Sequence, residues 1–254
     1  MTIAEYTAFA HMLADTAAAV IRPFFRAHAA VEVKSDKSPV TLADRNAEQA
    51  IREAIMKHYP DHGIWGEEFG EYHTDREFVW VLDPVDGTKS FMSGFPTFGT
   101  LIALTRLGNP LLGLLDQPIL NERWIGAVDT PSLFNGTPTH THQTISLADA
   151  TLCTTSPDLL SHDEKIRFDR VRAKTRYTLY GYDCYAYAQL ASGHIHAVIE
   201  TGLKPHDYCA LAPIITNAGG IMTDWDGHPL TMQSDGRVIA AANAKLHQEI
   251  ISHL

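Results

Sequence analysis

The 254-residue sequence predicts a layered α/β fold, and three observations carry that reading. Two stretches near the start place apolar residues at helical spacing, a middle region holds short apolar runs joined by tight turns, and the second half alternates strand with helix signals. Composition agrees. With 45% hydrophobic residues, 17 Gly and 13 Pro, the chain has the make-up of a folded protein with a sizeable core, and disorder or a collagen-like structure is excluded.

Ile3, Tyr6, Phe9, Leu13, Ala17, Val20 and Phe24 recur every three or four residues in an Ala-rich run, which lines one stripe of a helix. A second helix is expected from Thr41, a capping residue with Asp44 three positions on, through Ala47, Ile51 and Ile55 to a stop before Pro60. A polar loop, Lys34-Ser35-Asp36-Lys37-Ser38-Pro39, separates the two. Residues 78–82 then form an apolar run ending at Asp83-Pro84, and 97–104, 111–115 and 123–128 follow as strands of an antiparallel meander with a turn at Gly108-Asn109-Pro110. Beyond a polar stretch at 137–146, strands are expected at 151–155, 177–179, 197–199, 221–223 and 238–241. Helices are expected at 164–174, 183–192, 207–217 and from 243 onward. This divides one domain into an N-terminal subdomain, 1–145, and a C-terminal α/β subdomain, 146–254.

Charge and cysteine usage narrow the function. Twenty Lys and Arg against thirty Asp and Glu give a net charge of −10, which offers no electrostatic footprint for nucleic acid or an anionic membrane. An anionic substrate would need a cation as intermediary. Cys153, Cys184 and Cys209 lie far apart and form neither a disulfide framework nor a zinc knuckle, which fits a reducing cytoplasm. The first residues lack a signal-peptide pattern, and no run approaches the roughly 18 apolar residues of a membrane span.

The chemistry is expected at Asp83-Pro84-Val85-Asp86-Gly87-Thr88, where a strand would end and deliver two carboxylates at its mouth. Pro84 holds Asp83 extended and Gly87 lets the backbone approach a ligand closely, although the same hexapeptide also reads as two consecutive turns. Glu67 and Glu68 lie in the apolar setting Ile64-Trp65-Gly66-Glu67-Glu68-Phe69, and Asp207 at a helix entrance reads either as an N-cap or as a further site carboxylate. Were Glu67, Asp83, Asp86 and Asp207 to meet within about 5 Å, each like-charge pair would cost roughly 3 kcal/mol at an effective dielectric near 20. All-oxygen ligands of that kind point to Mg²⁺ or Mn²⁺ and to two-metal phosphoryl chemistry.

Together, Gly66-Glu67-Glu68, Asp83-Pro84-Val85-Asp86-Gly87-Thr88 and Asp207 with Ala218-Gly219-Gly220 resemble the inositol monophosphatase family of Mg²⁺-dependent, lithium-sensitive phosphatases over essentially the whole chain. The resemblance implies the αβαβα sandwich shared with fructose-1,6-bisphosphatase, a homodimer, and two or three Mg²⁺ ions. Glu67, Asp83 and the Val85 carbonyl would hold one cation, Asp83, Asp86 and Asp207 a second, with a weaker third near Glu67. Thr88, relayed to Asp44, would orient and deprotonate a metal-bound water, and the backbone of Gly87 and Thr88 would cradle the phosphate. Lys34 matches a loop position near the site.

Within the family, the stretch 90–104, Asp116-Gln117-Pro118, Thr155-Ser156-Pro157, Gly181-Tyr182-Asp183-Cys184-Tyr185 and Gly202-Leu203-Lys204-Pro205 resemble the histidinol-phosphate phosphatase branch. The resemblance implies hydrolysis of L-histidinol phosphate, with Asp183 and Glu200 at substrate-pocket positions where their charge suits an ammonium or imidazole. A helix N-cap and a strand-end surface carboxylate are the competing structural roles. His206 departs from the Trp of the usual branches and from the Tyr expected of the histidinol branch. The rival functions are the same chemistry on inositol phosphate or a 3′-phosphonucleotide, and a catalytically idle metal-binding protein.

Overall fold

The computed structural model describes residues 1–27, 31–33 and 39–254, with the backbone alone at 31–33 and 39–41. The expected loop with Lys34, and the Thr41 side chain as a cap, lie outside the described residues. In chain order the elements are α1 (Ile3–Ile21), β1 (Val31–Val33), β2 (Pro39–Thr41), α2 (Leu42–His58), β3 (Gly63–Gly66), β4 (Gly70–Tyr72), β5 (Phe78–Asp86), α3 (Thr88–Met92), β6 (Gly99–Arg106), β7 (Asn109–Gln117), β8 (Glu122–Ala127), β9 (Thr130–Phe134) and β10 (Thr137–Pro138). They continue with β11 (Thr151–Thr154), α4 (His162–Arg172), β12 (Tyr177–Tyr180), α5 (Asp183–Ala191), β13 (Ala197–Glu200), α6 (Pro205–Tyr208), α7 (Leu211–Asn217), β14 (Ile221–Thr223), β15 (Val238–Ala241) and α8 (Ala244–Ile251). No helix among the described residues is long and apolar enough to cross a membrane.

Strand alternation builds the layers. In β5, Trp80 and Leu82 pack with Leu13, Ile51 and Ile55 of α1 and α2, whereas Val79 and Val81 face a second cluster with Tyr187, Leu211 and Ile214 of α5 and α7. The same division recurs in β6, where Ile102 and Leu104 turn one way and Leu101 and Ala103 the other. The second sheet repeats the pattern. Cys153, Val198 and Ala240 join the middle cluster, while Leu152, Ile199 and Ile239 pack on Phe168 of α4 and Leu246 of α8. Three apolar cores therefore join five layers, the middle core enclosing the central helices: α1 and α2, the first sheet, α5 to α7, the second sheet, and α4 with α8. This is the αβαβα sandwich. The three cysteines are all buried, free and part of the middle core.

The first sheet has the order β10-β9-β8-β7-β6-β5-β3-β4 and is antiparallel from β5 to β10, as the short connections require, while β3 pairs in parallel with β5. Strands β3, β4 and β9 escape the sequence reading because each is at most five residues long with no sustained alternation. The second sheet, β12-β11-β13-β15-β14, is mixed. Three boundaries need correction. The first helix gives way to a 3₁₀ turn at Arg22–Phe24, where Pro23 follows. The strand expected at 78–82 continues through Pro84 to Asp86, with the register slipping between Asp83 and Asp86, because Pro84 has no N–H for the ladder. The single helix expected at 207–217 is two, α6 and α7.

That break has a packing counterpart in the first sheet. Gly113 of β7 and Gly126 of β8 are cross-strand partners, and a Cβ on Gly113 would lie 1.8 Å from the Ala210 carbonyl oxygen between α6 and α7. A Cβ on Gly126 would lie 2.5 Å from the Pro213 carbonyl oxygen. The paired glycines let the middle helices sit directly on the sheet, and with them Asp207. Gly113→Ala is expected to destabilise the protein by about 2 kcal/mol or more in urea unfolding, the cost of overpacking against a fixed backbone; an unchanged midpoint would show that the helix pair does not rest there.

Candidate metal centre

The kinked end of β5 brings the expected carboxylates together. Asp83 is 2% exposed and accepts the Val85 N–H at 3.1 Å, while Asp86 accepts the Cys184 N–H of α5 at 2.7 Å. Asp207 arrives from α6. It is the third residue of that helix, with its carboxylate accepting the Lys204 N–H at 2.6 Å, so it reaches back to cap the helix from inside the first turn and is not itself the N-cap. Among the described residues, three groups place one ligand atom per residue within 4.8 Å of one another: Asp83, Asp86 and Asp207; Glu67, Asp83 and His206; and Asp44, Glu67 and Glu68. Asp83 belongs to two of them and Glu67 to two.

Electrostatics show what such a cluster lacks. Burial, followed by the charges of Glu67, Asp86, Asp44 and Asp207, pushes the Asp83 carboxyl well above its usual range. Burial and then Asp183 and Asp207 do the same to Asp86, against the opposing Cys184 N–H. Asp207 is pushed up to about 6, by burial in the first place and despite the Lys204 N–H. Hard oxygen donors that are costly to ionise together are the donor set a divalent cation stabilises, so the residues present fit Mg²⁺.

Glu67 is held by backbone on both sides. Its N–H donates to the Leu82 carbonyl at 3.1 Å, next to Asp83, and the following N–H groups of Glu68 and Phe69 donate to Glu48 of α2 at 2.7 and 3.2 Å. Glu48 is fully buried and pairs with Arg52 at 2.7 Å, and the Arg52 guanidinium also donates to the Gly70 carbonyl. A Cβ on Gly66 would fall 1.9 Å from a Glu48 oxygen, which explains the glycine before Glu67. Sequence reasoning missed this brace. Its signal is the four-residue spacing of Asp44, Glu48 and Arg52 on one helix, which is easily taken for a solvated charged stripe.

Gly87, with φ +83°, is the N-cap of α3, so the backbone expected to cradle phosphate does open a helix. The Thr88 hydroxyl donates at 3.1 Å to the Val85 carbonyl, the group expected to bind metal. Asp183 is the first residue of α5 with φ +46°, Tyr182 taking the N-cap position, and its carboxylate accepts the Ser90 hydroxyl at 2.6 Å. It abuts the cradle, for a Cβ on Gly87 would lie 2.8 Å from Asp183 Oδ2. Glu200 at the end of β13 is 6% exposed, which corrects the surface alternative. It accepts the Thr155 N–H at 2.8 Å, the Thr155 hydroxyl and the Tyr187 hydroxyl at 3.0 Å, yet burial still raises its carboxyl to about 7. Asp86, Asp183, Glu200 and Asp207 all line one cavity of about 130 Å³ beside the carboxylate cluster.

A carboxyl whose pKa is higher folded than unfolded binds the extra proton in the native state, so its contribution to stability falls as pH rises between the two values. For Asp207 that window runs from 3.8 to about 6. Without divalent cations, the advantage of Asp207→Asn over the unmodified protein in melting temperature is expected to grow as pH is raised from 4 to 7. Saturating Mg²⁺ should stabilise the protein that retains Asp207 more than the variant. A constant difference across that range, with no response to Mg²⁺, would contradict the cluster's proposed state.

The family model described as the inositol monophosphatase family matches residues 2–254. The chain is 46% identical over 259 residues to the bifunctional phosphatase IMPL2, chloroplastic, of Arabidopsis thaliana, covering 98% of this chain and 75% of that one. It is 36% identical over 259 residues to a histidinol-phosphatase of Streptomyces coelicolor, covering 96% and 95%. A solved inositol monophosphatase from Zymomonas mobilis superposes with a TM-score of 0.92 at 47% identity, covering 100% of this chain and 99% of that one. The chain belongs to the inositol monophosphatase family and is a metal-dependent phosphomonoesterase of that fold.

Proposed function

We propose that the ester hydrolysed is L-histidinol phosphate, in histidine biosynthesis. The observation that carries this reading is the acidic cavity beside the carboxylate cluster, in which Asp183 and Glu200 are present in addition to Asp86 and Asp207. A polyol offers such carboxylates only hydroxyl groups, whereas an amino alcohol bearing an imidazole offers cationic N–H donors, which form the stronger charge-assisted bonds. Glu200, raised to about 7 by burial, gains most from such a partner. The relatives named as histidinol-phosphatases support the same ester, and the inositol monophosphatase from Zymomonas mobilis keeps a polyol phosphate as the competing one.

Divalent cations, when bound, neutralise the ester's charge, acidify water and stabilise the leaving oxygen. Glu67, Asp83, Asp86, Asp207 and the Val85 carbonyl would hold them. The Gly87 and Thr88 N–H groups at the start of α3 would donate to the phosphate oxygens and fix the ester for in-line attack by water. Thr88 Oγ1 would turn from the Val85 carbonyl to accept the nucleophile's proton while passing its own to the Asp44 carboxylate, with Glu67 orienting the same water. Asp183, held by Ser90 against Gly87, would place the amino alcohol on the far side of the phosphate.

Phosphate release from L-histidinol phosphate is expected to exceed release from inositol 1-phosphate by about a hundredfold in kcat/KM, about 2.7 kcal/mol in the transition state. EDTA or Asp83→Asn should abolish both activities. Glu200→Gln should collapse the preference while leaving the slower substrate turned over. Equal or reversed preference in the unmodified enzyme would remove the histidinol assignment and keep the phosphatase, and an unchanged ratio in Glu200→Gln would remove Glu200 from recognition.

A further inference from the structure

His206 immediately precedes the cluster residue Asp207 in α6, and one of its ring nitrogens lies within 4.8 Å of a carboxylate oxygen of Glu67 and of Asp83. Of the three groups among the described residues, the other two are made of carboxylates alone. The helix that carries His206 is firmly seated. Pro205 opens it, the Cys209 N–H donates to the Pro205 carbonyl at 3.0 Å, and the Tyr208 hydroxyl donates to the Thr231 carbonyl at 2.8 Å. Successive residues of a helix diverge by about 100°, so His206 and Asp207 can serve two neighbouring positions on either side of Asp83. His206 Nε2 lies 3.6 Å from Asp207 Oδ1, and the side chain is 13% exposed.

Carboxylate oxygens suit Mg²⁺ and Mn²⁺, whereas an imidazole nitrogen shifts a site toward Zn²⁺ and other borderline cations. We infer that His206 is a nitrogen donor to the cation held by Glu67 and Asp83, so that this position selects a borderline divalent metal while Asp83, Asp86 and Asp207 form an oxygen-only site for Mg²⁺. The chain would then carry two adjacent metal positions of unlike chemistry. The inference rests on the metal-dependent reading of the site and is independent of which ester is hydrolysed.

Pulsed EPR of the metal-stripped full chain, loaded with one equivalent of Mn²⁺ in excess Mg²⁺, tests it. The expected result is nitrogen modulation from a directly bound imidazole, absent in His206→Gln and in His206→Trp. Competition titrations should show Zn²⁺ losing at least tenfold of its advantage over Mg²⁺ in both variants. Metal-free melting curves establish that each variant folds, and the tryptophan variant, which refills the space with a ring, serves if the glutamine variant does not. Bound Mn²⁺ without nitrogen modulation in the unmodified protein, or with modulation that persists in a folded variant, would overturn the inference and leave the metal reading intact. Failure to bind Mn²⁺ at all would overturn both.

Discussion

Everything about this molecule's centre follows from the cost of placing several carboxylates in one dry corner. Asp83 is almost fully buried, and the carboxylates of Glu67, Asp86, Asp44 and Asp207 all raise its proton affinity further. A fold that needed only stability would gain by replacing these groups with apolar residues of similar volume. The strain makes sense if a doubly charged cation repays it, because attraction that is weak in water becomes large where water is excluded. The protein then invests its architecture in keeping the carboxylates close.

That investment is visible at three distances from the site. At the nearest, Pro84 breaks the β5 ladder so that Asp83 and Asp86 can both face the cluster in place of alternating across the sheet. Further out, buried Glu48 ties α2 to the turn that carries Glu67, and its charge is in turn matched by Arg52. Further still, the glycine pair Gly113 and Gly126 lowers the middle helices onto the first sheet and so sets the depth at which Asp207 arrives. The middle core, shared by strands of both sheets, makes the first and second halves of the chain one mechanical unit at the point where Asp207 meets Asp83.

The fold class was legible because helical spacing in α1 and α2 and strand alternation in β5 to β8 are strong periodic signals. What could not be read was short or non-local. Strands β3 and β4 derive their stability from neighbours and not from their own pattern, and the division of α6 from α7 follows from how they pack on a sheet about a hundred residues earlier in the chain. The carboxylate positions were legible because Asp-Pro-Val-Asp-Gly-Thr has few structural readings once Glu67 and Asp207 are found with it. Glu48 and the reach of His206 toward Glu67 and Asp83 were not, since a buried charge on an amphipathic helix looks like a solvated one until its partners are known.

Cations occupying the carboxylate cluster are what the whole arrangement requires. Anomalous diffraction from crystals grown with Mn²⁺ and inorganic phosphate measures this directly. At least two manganese peaks that share Asp83 are expected, one against Asp86 and Asp207 and one against Glu67, with phosphate between them and the start of α3. Phosphate bound at the N-terminus of α3 with no manganese at Asp83 would contradict that requirement.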